Sequence, residues 1–323
     1  MKVINLVAAP LLACIVHTGA LAQTYPSKPI EFVVPGNPGA GSDVFARLIA
    51  DLMRKDKLVT QPILINNKAG GGGAIAAAYA AQKRGDPYVV VSFPTGMMLT
   101  SAQRSGLDVG LDKFHPLALL GFDINCLMVN ADSPFKSVQE LVAAAKAQPK
   151  TINVSIGSAG STSHMFVYTL QKLAGVRFNI VIMKSGAEAV TAVLGGHVDV
   201  VATVVSTALP HHQSGRIRIL AVSAEHRLAG ALPQVPTWTE LGVKSVSANW
   251  RYVIGPKGMM AAHVQYWDGV LARLAQQDDW KREAEANLVE NTFLGSADTR
   301  RLMDAQYAEL GRVLRALDLA KSP

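Results

Sequence analysis

Three loops rich in glycine, alanine and small hydroxyl residues constrain this chain more than any other feature. They cover Pro35–Asp43, Lys68–Ile75 and Gly157–His164, and each joins an apolar strand-like run to a helix-like run. Glycine lets the backbone approach a ligand closely, and the first turn of a helix leaves free N–H groups with a partial positive charge. Such a helix start binds anions without a charged side chain. Three of them in one chain indicate a site for a small anionic molecule.

Short apolar runs alternate with helix-like runs along the rest of the chain. We predict strands at 30–34, 62–66, 88–92, 117–121, 126–130, 152–156, 178–182, 198–204, 217–222 and 247–254. We predict helices at 42–54, 73–83, 137–147, 161–174, 185–195, 206–213, 237–242, 260–276, 278–287 and 297–317. This alternation indicates α/β lobes with mainly parallel sheets.

Residues 23–323 exceed what one hydrophobic core usually supports, so two lobes are expected. Extended segments near 122–126 and 222–227 are the predicted crossings between them. We therefore expect a discontinuous domain I and an inserted domain II, with bounds 23–124 and 223–323 for the first and 125–222 for the second. Two crossings make a hinge, and a cleft between lobes is a common ligand site.

Local signals mark the start of several predicted helices. Ser137 with Glu140, and Thr237 with Glu240, have the spacing of capping boxes. Ser42-Asp43 occupies a favourable N-cap position for a helix beginning near Val44. The last of these signals places the end of the first small-residue loop at a helix N-terminus.

Residues 1–22 have the pattern of an export signal. Lys2 precedes an apolar stretch, Val3–Val16, and Ala20-Leu21-Ala22 gives an A-x-A cleavage pattern. That stretch is too short to span a bilayer, and a lipoprotein site at Cys14 would leave a very short signal. We therefore expect removal of residues 1–22 and an exported chain. Cys126 is then the remaining cysteine, so no internal disulfide is expected.

Charge and motifs argue against several function classes. The formal net charge is +7, but the basic residues are scattered and do not alternate with aromatics, so no nucleic-acid partner is expected. The first loop lacks both the Walker A lysine and the G-x-G-x-x-G order, and no cofactor is expected. H-E-x-x-H and C-x-x-C are absent, so no metal site is expected. Without a G-x-S-x-G elbow, no catalytic residue is assigned.

Each loop also has a purely structural interpretation. In the first, Gly36, Gly39 and Gly41 beside two prolines exceed what a tight turn needs, which favours backbone contact with a ligand. In the second, four consecutive glycines either contact a ligand or let the alanine-rich helix Ala74–Ala81 pack closely. In the third, the hydroxyls either hold carboxylate oxygens or cap a helix beside a structural histidine.

In their order, the three loops and the export signal resemble the periplasmic solute-binding proteins of tripartite tricarboxylate transporters, the TctC/Bug family. The resemblance covers nearly the whole chain after the signal. The segments that carry it are Tyr25–Ile30, Val33–Ala50, Asn67–Ala77, Asp132–Pro149, Gly157–His164, Leu194–Val200, Ala208–Arg227, Leu232–Gly242 and Ile254–Gly258.

This resemblance implies a type II periplasmic-binding-protein fold, with two α/β lobes joined by a two-segment hinge. It implies a periplasmic receptor, not an enzyme, that closes on a small organic carboxylate and delivers it to membrane permease subunits. A monomer is expected. Citrate, a C4 to C6 dicarboxylate and an aromatic dicarboxylate all stay open as ligands. Two other functions stay open: a secreted hydrolase of carboxylate esters, and a receptor that presents its ligand to a sensor kinase.

The resemblance also implies which residues bind the ligand, carried over by position. They are Gly39, Ala40, Gly41, Ser42, Asp43, Gly71, Gly72, Thr95, Ser158, Ser161, Thr162, Ser163, His164 and Thr203. Thr203 stands where the family commonly has an aspartate, which removes a partner for a ligand amino group. We therefore expect that the ligand is not an amino acid and that the cleft is unusually apolar. Met97, Met98 and Met183 would suit an apolar ligand body only if they face the cleft.

Overall fold

The structure, a computed structural model, describes residues 25–103, 110–157, 161–224, 226–228, 232–243 and 248–316. The predicted export signal and Ser158 lie outside these residues. The strands are β1 (Ile30–Val34), β2 (Ile63–Asn67), β3 (Val89–Pro94), β4 (Phe114–Asn130), β5 (Asn153–Ile156), β6 (Asn179–Ile182), β7 (Val200–Val204), β8 (Ile217–Val222), β9 (Ala248–Pro256), β10 (Val289–Glu290) and β11 (Leu294–Gly295). The helices are α1 (Gly41–Lys55), α2 (Ala74–Ala81), α3 (Thr95–Gln103), α4 (Val138–Ala147), α5 (Thr162–Ala174), α6 (Gly186–Leu194), α7 (Val205–Gln213), α8 (Ala261–Gln276), α9 (Asp278–Ala286) and α10 (Ser296–Ala316).

Most predicted elements form within a few residues of their expected ends, but the two short strands β10 and β11 were not predicted, and other elements differ from the prediction. The two strands expected at 117–121 and 126–130 are one strand, β4. Helix α3 was not predicted. The helix expected at 237–242 is a turn, although its capping box forms, with Glu240 N–H donating to Thr237 Oγ1 and Thr237 N–H to Glu240 Oε2. A local start signal therefore works here without a helix behind it.

The sheets are parallel only at their outer sides. In the first lobe β1 pairs in parallel with β2 and β3, and in the second lobe β5 pairs in parallel with β6 and β7. Strand β9 is antiparallel to β3 and β4, and β4 is antiparallel to β7 and β8. The prediction of mainly parallel sheets is therefore wrong for the strands nearest the hinge, because the chain turns back where it passes between lobes.

Strand β4 belongs to both sheets. Its residues 114–124 pair with β9 in the first lobe, and residues 125–130 pair with β7 and β8 in the second. We therefore propose that the chain first crosses between lobes near Asp123–Asn125.

The second crossing lies further along the chain than the predicted segment. Trp238 stacks on Phe166 of α5 with ring centroids 3.9 Å apart, and its backbone N–H donates to the Val222 carbonyl. Both rings belong to an apolar core of the second lobe. Pairing with β4 in the first lobe resumes only at Ala248. In the domain division that we propose, the second lobe therefore extends to Val243 rather than ending at Val222.

Helices cover both faces of each sheet. In the first lobe, α1, α8 and α9 pack on one face, with Phe45, Trp267 and Trp280 in the core. The core on the other face includes Met97 and Met98, which are almost completely buried. These two methionines therefore belong to the lobe interior and do not supply an apolar cleft wall. No helix in the described ranges combines the length and apolarity needed to cross a bilayer.

Candidate ligand cleft

The first loop runs from β1 into α1 and is held by Asp43. The Asp43 carboxylate accepts hydrogen bonds from Gly39 N–H at 2.8 Å, Arg47 Nε at 2.9 Å and Asn67 Nδ2 at 2.9 Å. The predicted N-cap at Ser42-Asp43 is wrong: the N-cap residue is Ala40, and Asp43 reaches back from inside the first turn. Its carboxylate shapes the loop, while Gly39 and Gly41 stay exposed and Ala40 and Ser42 are half-buried.

Two opposing effects set the pKa of the Asp43 carboxyl. Burial raises this pKa, but the hydrogen bonds from Arg47, Gly39 N–H and Asn67 lower it by more, so it lies below its usual value. A carboxyl with a lowered folded-state pKa contributes stability above its unfolded pKa of about 3.9. That contribution disappears as the pH falls through the still lower folded pKa.

We expect Asp43→Asn to lower the free energy of unfolding by about 1–3 kcal/mol at pH 7, because charge-assisted hydrogen bonds are replaced by weaker ones. The deficit relative to wild type should shrink below about pH 4, where the wild-type carboxyl also becomes protonated. Urea unfolding midpoints at several pH values measure both effects. Asp51→Asn is the matched control, since Asp51 pairs with Arg54 at the surface. A deficit that stays constant down to pH 2 contradicts this role.

The four-glycine turn after β2 packs against α3. Gly70, Gly71, Gly72 and Gly73 have φ values of 126°, 59°, 66° and 94°, a left-handed run that only glycine adopts readily. The Gly72 carbonyl accepts from Thr100 Oγ1 at 2.9 Å, and a Cβ on Gly73 would lie 2.9 Å from Met97 Cγ. Close packing, one of the two alternatives, is thus present, and it involves α3 as well as α2. Gly71 and Gly72 nevertheless stay exposed.

The hydroxyls of the third loop converge on a residue that sequence reasoning missed. Ser161 caps α5 by accepting from His164 N–H at 3.2 Å. Thr162 Oγ1 and Ser163 Oγ each lie within hydrogen-bond distance of Asn125 Oδ1, at 3.3 and 3.1 Å. Asn125 is completely buried in β4. Burial lowers the pKa of the His164 imidazole, which favours its neutral form.

Two glycines beside this loop, Gly157 and Gly186, make close contacts in the second lobe. A Cβ on Gly157 would lie 2.6 Å from Gly186 N, and one on Gly186 would lie 2.7 Å from Thr203 Oγ1. Thr203 is buried at the end of β7. Gly186 therefore lies between the Gly157 turn and the predicted ligand residue Thr203 in the second lobe.

The Thr95 hydroxyl connects two elements of the first lobe. Its Oγ1 accepts from Trp250 N–H at 2.8 Å and lies 3.4 Å from the Ala248 carbonyl. The side chain is 5% exposed. Its hydroxyl thus joins the start of α3 to the start of β9, next to the second crossing.

A cavity of about 200 Å³ lies between the two lobes. Its lining comprises Gly41, Ser42, Phe45, Ser92, Pro94, Val204, Asn249 and Arg251. Val204 comes from the second lobe and the others come from the first. Of the predicted ligand residues, Gly41 and Ser42 line the cavity directly, and Thr95 and Thr203 are the chain neighbours of Pro94 and Val204. The four-glycine turn and the start of α5 do not contribute to the lining.

A larger cavity of about 840 Å³ lies beside the hinge strands. Aromatic and aliphatic side chains form much of its wall, including Phe122, Leu209, Leu228, Trp250 and Leu288. None of the predicted ligand residues lines it. We therefore assign the candidate site to the smaller cavity, where chemistry and position agree, rather than to the larger one.

An ion pair made by Arg251, which lines the smaller cavity, was also missed. The Asp123 carboxylate is 1% exposed and pairs with Arg251 Nη2 at 2.5 Å. It also accepts from Ser206 Oγ and Asn249 Nδ2, both at 3.2 Å. The sequence signal was a single acidic residue in a largely apolar strand, but Ser206 and Asn249 lie 83 and 126 positions away, and Arg251 lies further still.

Other reactive groups do not assemble into a centre in the described part of the chain. No group of three or more His, Cys, Asp or Glu side chains there could hold a metal ion. Cys126 is completely buried, and burial raises the pKa of its thiol to about 12. This thiol is therefore protonated and inaccessible at neutral pH.

Comparison with known proteins gives a family match over most of the chain. Residues 45–319 match the model described as "Tripartite tricarboxylate transporter family receptor". A similar relative is "Protein BugT" of Bordetella pertussis, with 30% identity over 73% of this chain and 73% of the relative.

Similar solved structures have the same two-lobed architecture. "R. palustris Rpa4515 with adipate" superposes with a TM-score of 0.83 at 26% identity, covering 90% of this chain and 97% of that one. The structure of a TctC solute binding protein from Polaromonas, without ligand, gives a TM-score of 0.71 at 27% identity over 91% of this chain and 100% of that one. The second of these is a TctC solute binding protein, and the predicted fold class is confirmed.

Proposed function

Because this chain belongs to the tripartite tricarboxylate transporter receptor family, we propose that it closes its cleft on a small dicarboxylate and presents that ligand to the membrane permease of such a transporter. Receptors of this family are periplasmic solute-binding proteins, not enzymes. Export by cleavage after residue 22 and action as a monomer are part of the same proposal.

One observation carries the proposal: the cavity between the lobes is lined by the start of α1 on one side and by the end of β7 on the other. The exposed Gly41 and half-buried Ser42 place backbone N–H groups and a hydroxyl at the positive end of a helix. A ligand that touches both lobes favours the closed arrangement by its differential affinity.

The remaining predicted residues have defined places in this proposal. Asp43 and Thr95 stabilise the first-lobe side of the cleft, and Thr203 stabilises the second-lobe side. The start of α5 approaches the ligand when the lobes close, so that the loop from Ser158 to His164 receives the second carboxylate. Gly71 and Gly72 lie at the edge of the cleft.

Cavity size and charge narrow the ligand class. About 200 Å³ is below the roughly 300–1,000 Å³ of sites for drug-sized molecules, which favours a C4 to C6 acid over an aromatic dicarboxylate. None of the lining residues is acidic, so a ligand amino group finds no carboxylate there. The similar protein Rpa4515 was solved with adipate, a dicarboxylate of this size class.

A thermal-shift screen of succinate, adipate, citrate, terephthalate and aspartate tests the proposal directly. The best ligand should stabilise the protein by about 2.7 kcal/mol at 100 times its Kd. We expect this from a C4 to C6 dicarboxylate and not from aspartate. If no carboxylate changes the melting temperature, the proposal is wrong. Release of alcohol from a carboxylate ester would instead support the hydrolase, and transport in vesicles with the permease separates delivery from signalling.

We expect Ser42→Ala to weaken dicarboxylate binding about tenfold or more, because a hydroxyl bound to a charged group is lost. Calorimetry with the best acid of the screen measures the change. Ser214→Ala is the matched control, since Ser214 is an exposed serine at the end of α7, away from the cavity. Equal affinities for the two variants would remove Ser42 from the site.

A further inference from the structure

Arg251 of β9 lines the cavity with a side chain that is nine-tenths buried, at 10% exposure. Its Nη1 donates to the Gly41 carbonyl at 3.1 Å, and its Nη2 pairs with Asp123 at 2.5 Å. The guanidinium carbon lies 4.9 Å from the centroid of the Phe45 ring. Three contacts thus fix the plane of a cationic group between the first loop and the hinge.

The neighbouring Asp123 carboxylate balances the charge of the buried Arg251 guanidinium. A buried guanidinium needs a counter-charge, and Asp123 supplies it. Asp123 is in turn held by Asn249 of the first lobe and by Ser206 of the second. The ion pair is therefore anchored from both lobes, and Arg251 has little freedom to turn away from the cavity.

One donor of Arg251 is left over. Its Nε is buried and has no hydrogen-bond partner among the residues that the structure describes. A buried donor without an acceptor is destabilising, and arginine presents Nε and Nη in the fork geometry that suits carboxylates. Because Arg251 lines the cavity, a small shift of the side chains around Nε would let an anionic oxygen in the cavity supply the missing acceptor.

We propose that Arg251 is the positively charged partner of one ligand carboxylate and makes the cleft selective for dianionic over monoanionic acids. This inference rests on the proposed function and adds its specificity determinant. The second carboxylate then faces the start of α5, where hydroxyls and a helix N-terminus take the place of a charged side chain.

The test compares adipate with its monomethyl ester, which has the same chain and one negative charge fewer. Wild type should bind adipate more tightly than the ester. In Arg251→Gln, adipate affinity should fall about 10–100-fold, and the preference for adipate should fall toward one, because neither ligand carboxylate then meets a cation. Arg282→Gln removes the same charge from an exposed surface pair and should leave both affinities unchanged.

A conservative variant covers the case in which Arg251→Gln does not fold. Arg251→Lys keeps the charge beside Asp123 but lacks the Nε donor and the planar fork, so we expect intermediate adipate affinity and a reduced preference. Wild-type affinities and preference in either folded variant would overturn the assignment of Arg251 alone. Absence of carboxylate binding by wild type would instead overturn the proposed function and this inference together.

Discussion

Replacing Trp238 with alanine should lower the free energy of unfolding by about 3–5 kcal/mol, the usual cost of removing a buried tryptophan. Trp238 is 1% exposed and stacks on Phe166 of α5. An aromatic pair of this kind adds about 0.5–1.5 kcal/mol to what burial alone gives. Urea unfolding followed by far-ultraviolet circular dichroism measures the loss, since that signal does not depend on tryptophan fluorescence.

Trp238→Phe is the control for ring stacking. It keeps an aromatic ring against Phe166 and leaves a smaller void, so its loss should be clearly smaller than that of the alanine variant. A loss below about 1 kcal/mol for Trp238→Ala would be typical of a surface site. It would contradict the packing of Trp238 in the second lobe, and the proposed extension of that lobe to Val243 would fail with it.

Gly121→Ala should be about as damaging, with an expected loss of about 3–5 kcal/mol. Gly121 has φ = 148°, and a Cβ there would lie 2.3 Å from the carbonyl oxygen of Glu290 in β10. The cost combines backbone strain of about 1–3 kcal/mol with a steric overlap of about 1–3 kcal/mol. The obstacle is backbone in a paired strand, so it cannot move aside as a side chain does. Chemical denaturation with a constant m-value measures the loss.

Gly215→Ala separates the two contributions. Gly215 also has a left-handed φ, 71°, but an added Cβ meets nothing within 4 Å. Only the backbone term of about 1–2 kcal/mol remains at that position. Equal losses for the two alanine variants would show that the overlap with Glu290 is relieved at little cost, and that β10 does not hold Gly121 in place.

Local patterns determined most of the elements. The apolar run Ile217–Val222 forms a strand with the predicted bounds, because its short length and β-branched residues favour a strand wherever it packs. Helix α3 escaped detection because its face toward the four-glycine turn and its face toward α10 are both covered, so it lacks the one-sided apolar stripe of a surface helix. The polar residues Asp123 and Asn125 indicated a break between two strands, but both lie inside the single strand β4.

The candidate site was predictable where its chemistry is local. The glycine and hydroxyl loops precede helices, and these signals are contiguous in sequence. The contact of Asp43 with Asn67 was missed because Asn67 lies 24 positions away. Asn125 and Arg251 were missed for the same reason at longer range: their meaning depends on Ser163 and Asp123, which only the folded sheets bring beside them.

The single strand β4 has a consequence for how the molecule folds and survives. It is the antiparallel neighbour of β9 in one sheet and of β7 and β8 in the other. Neither lobe therefore has a complete sheet without β4, and we expect that neither lobe folds alone. Unfolding of one lobe would disrupt β4 and so remove a central strand from the sheet of the other lobe. The chain should therefore unfold in a single cooperative step. A fragment that ends before β4 would lack the strand that both sheets share.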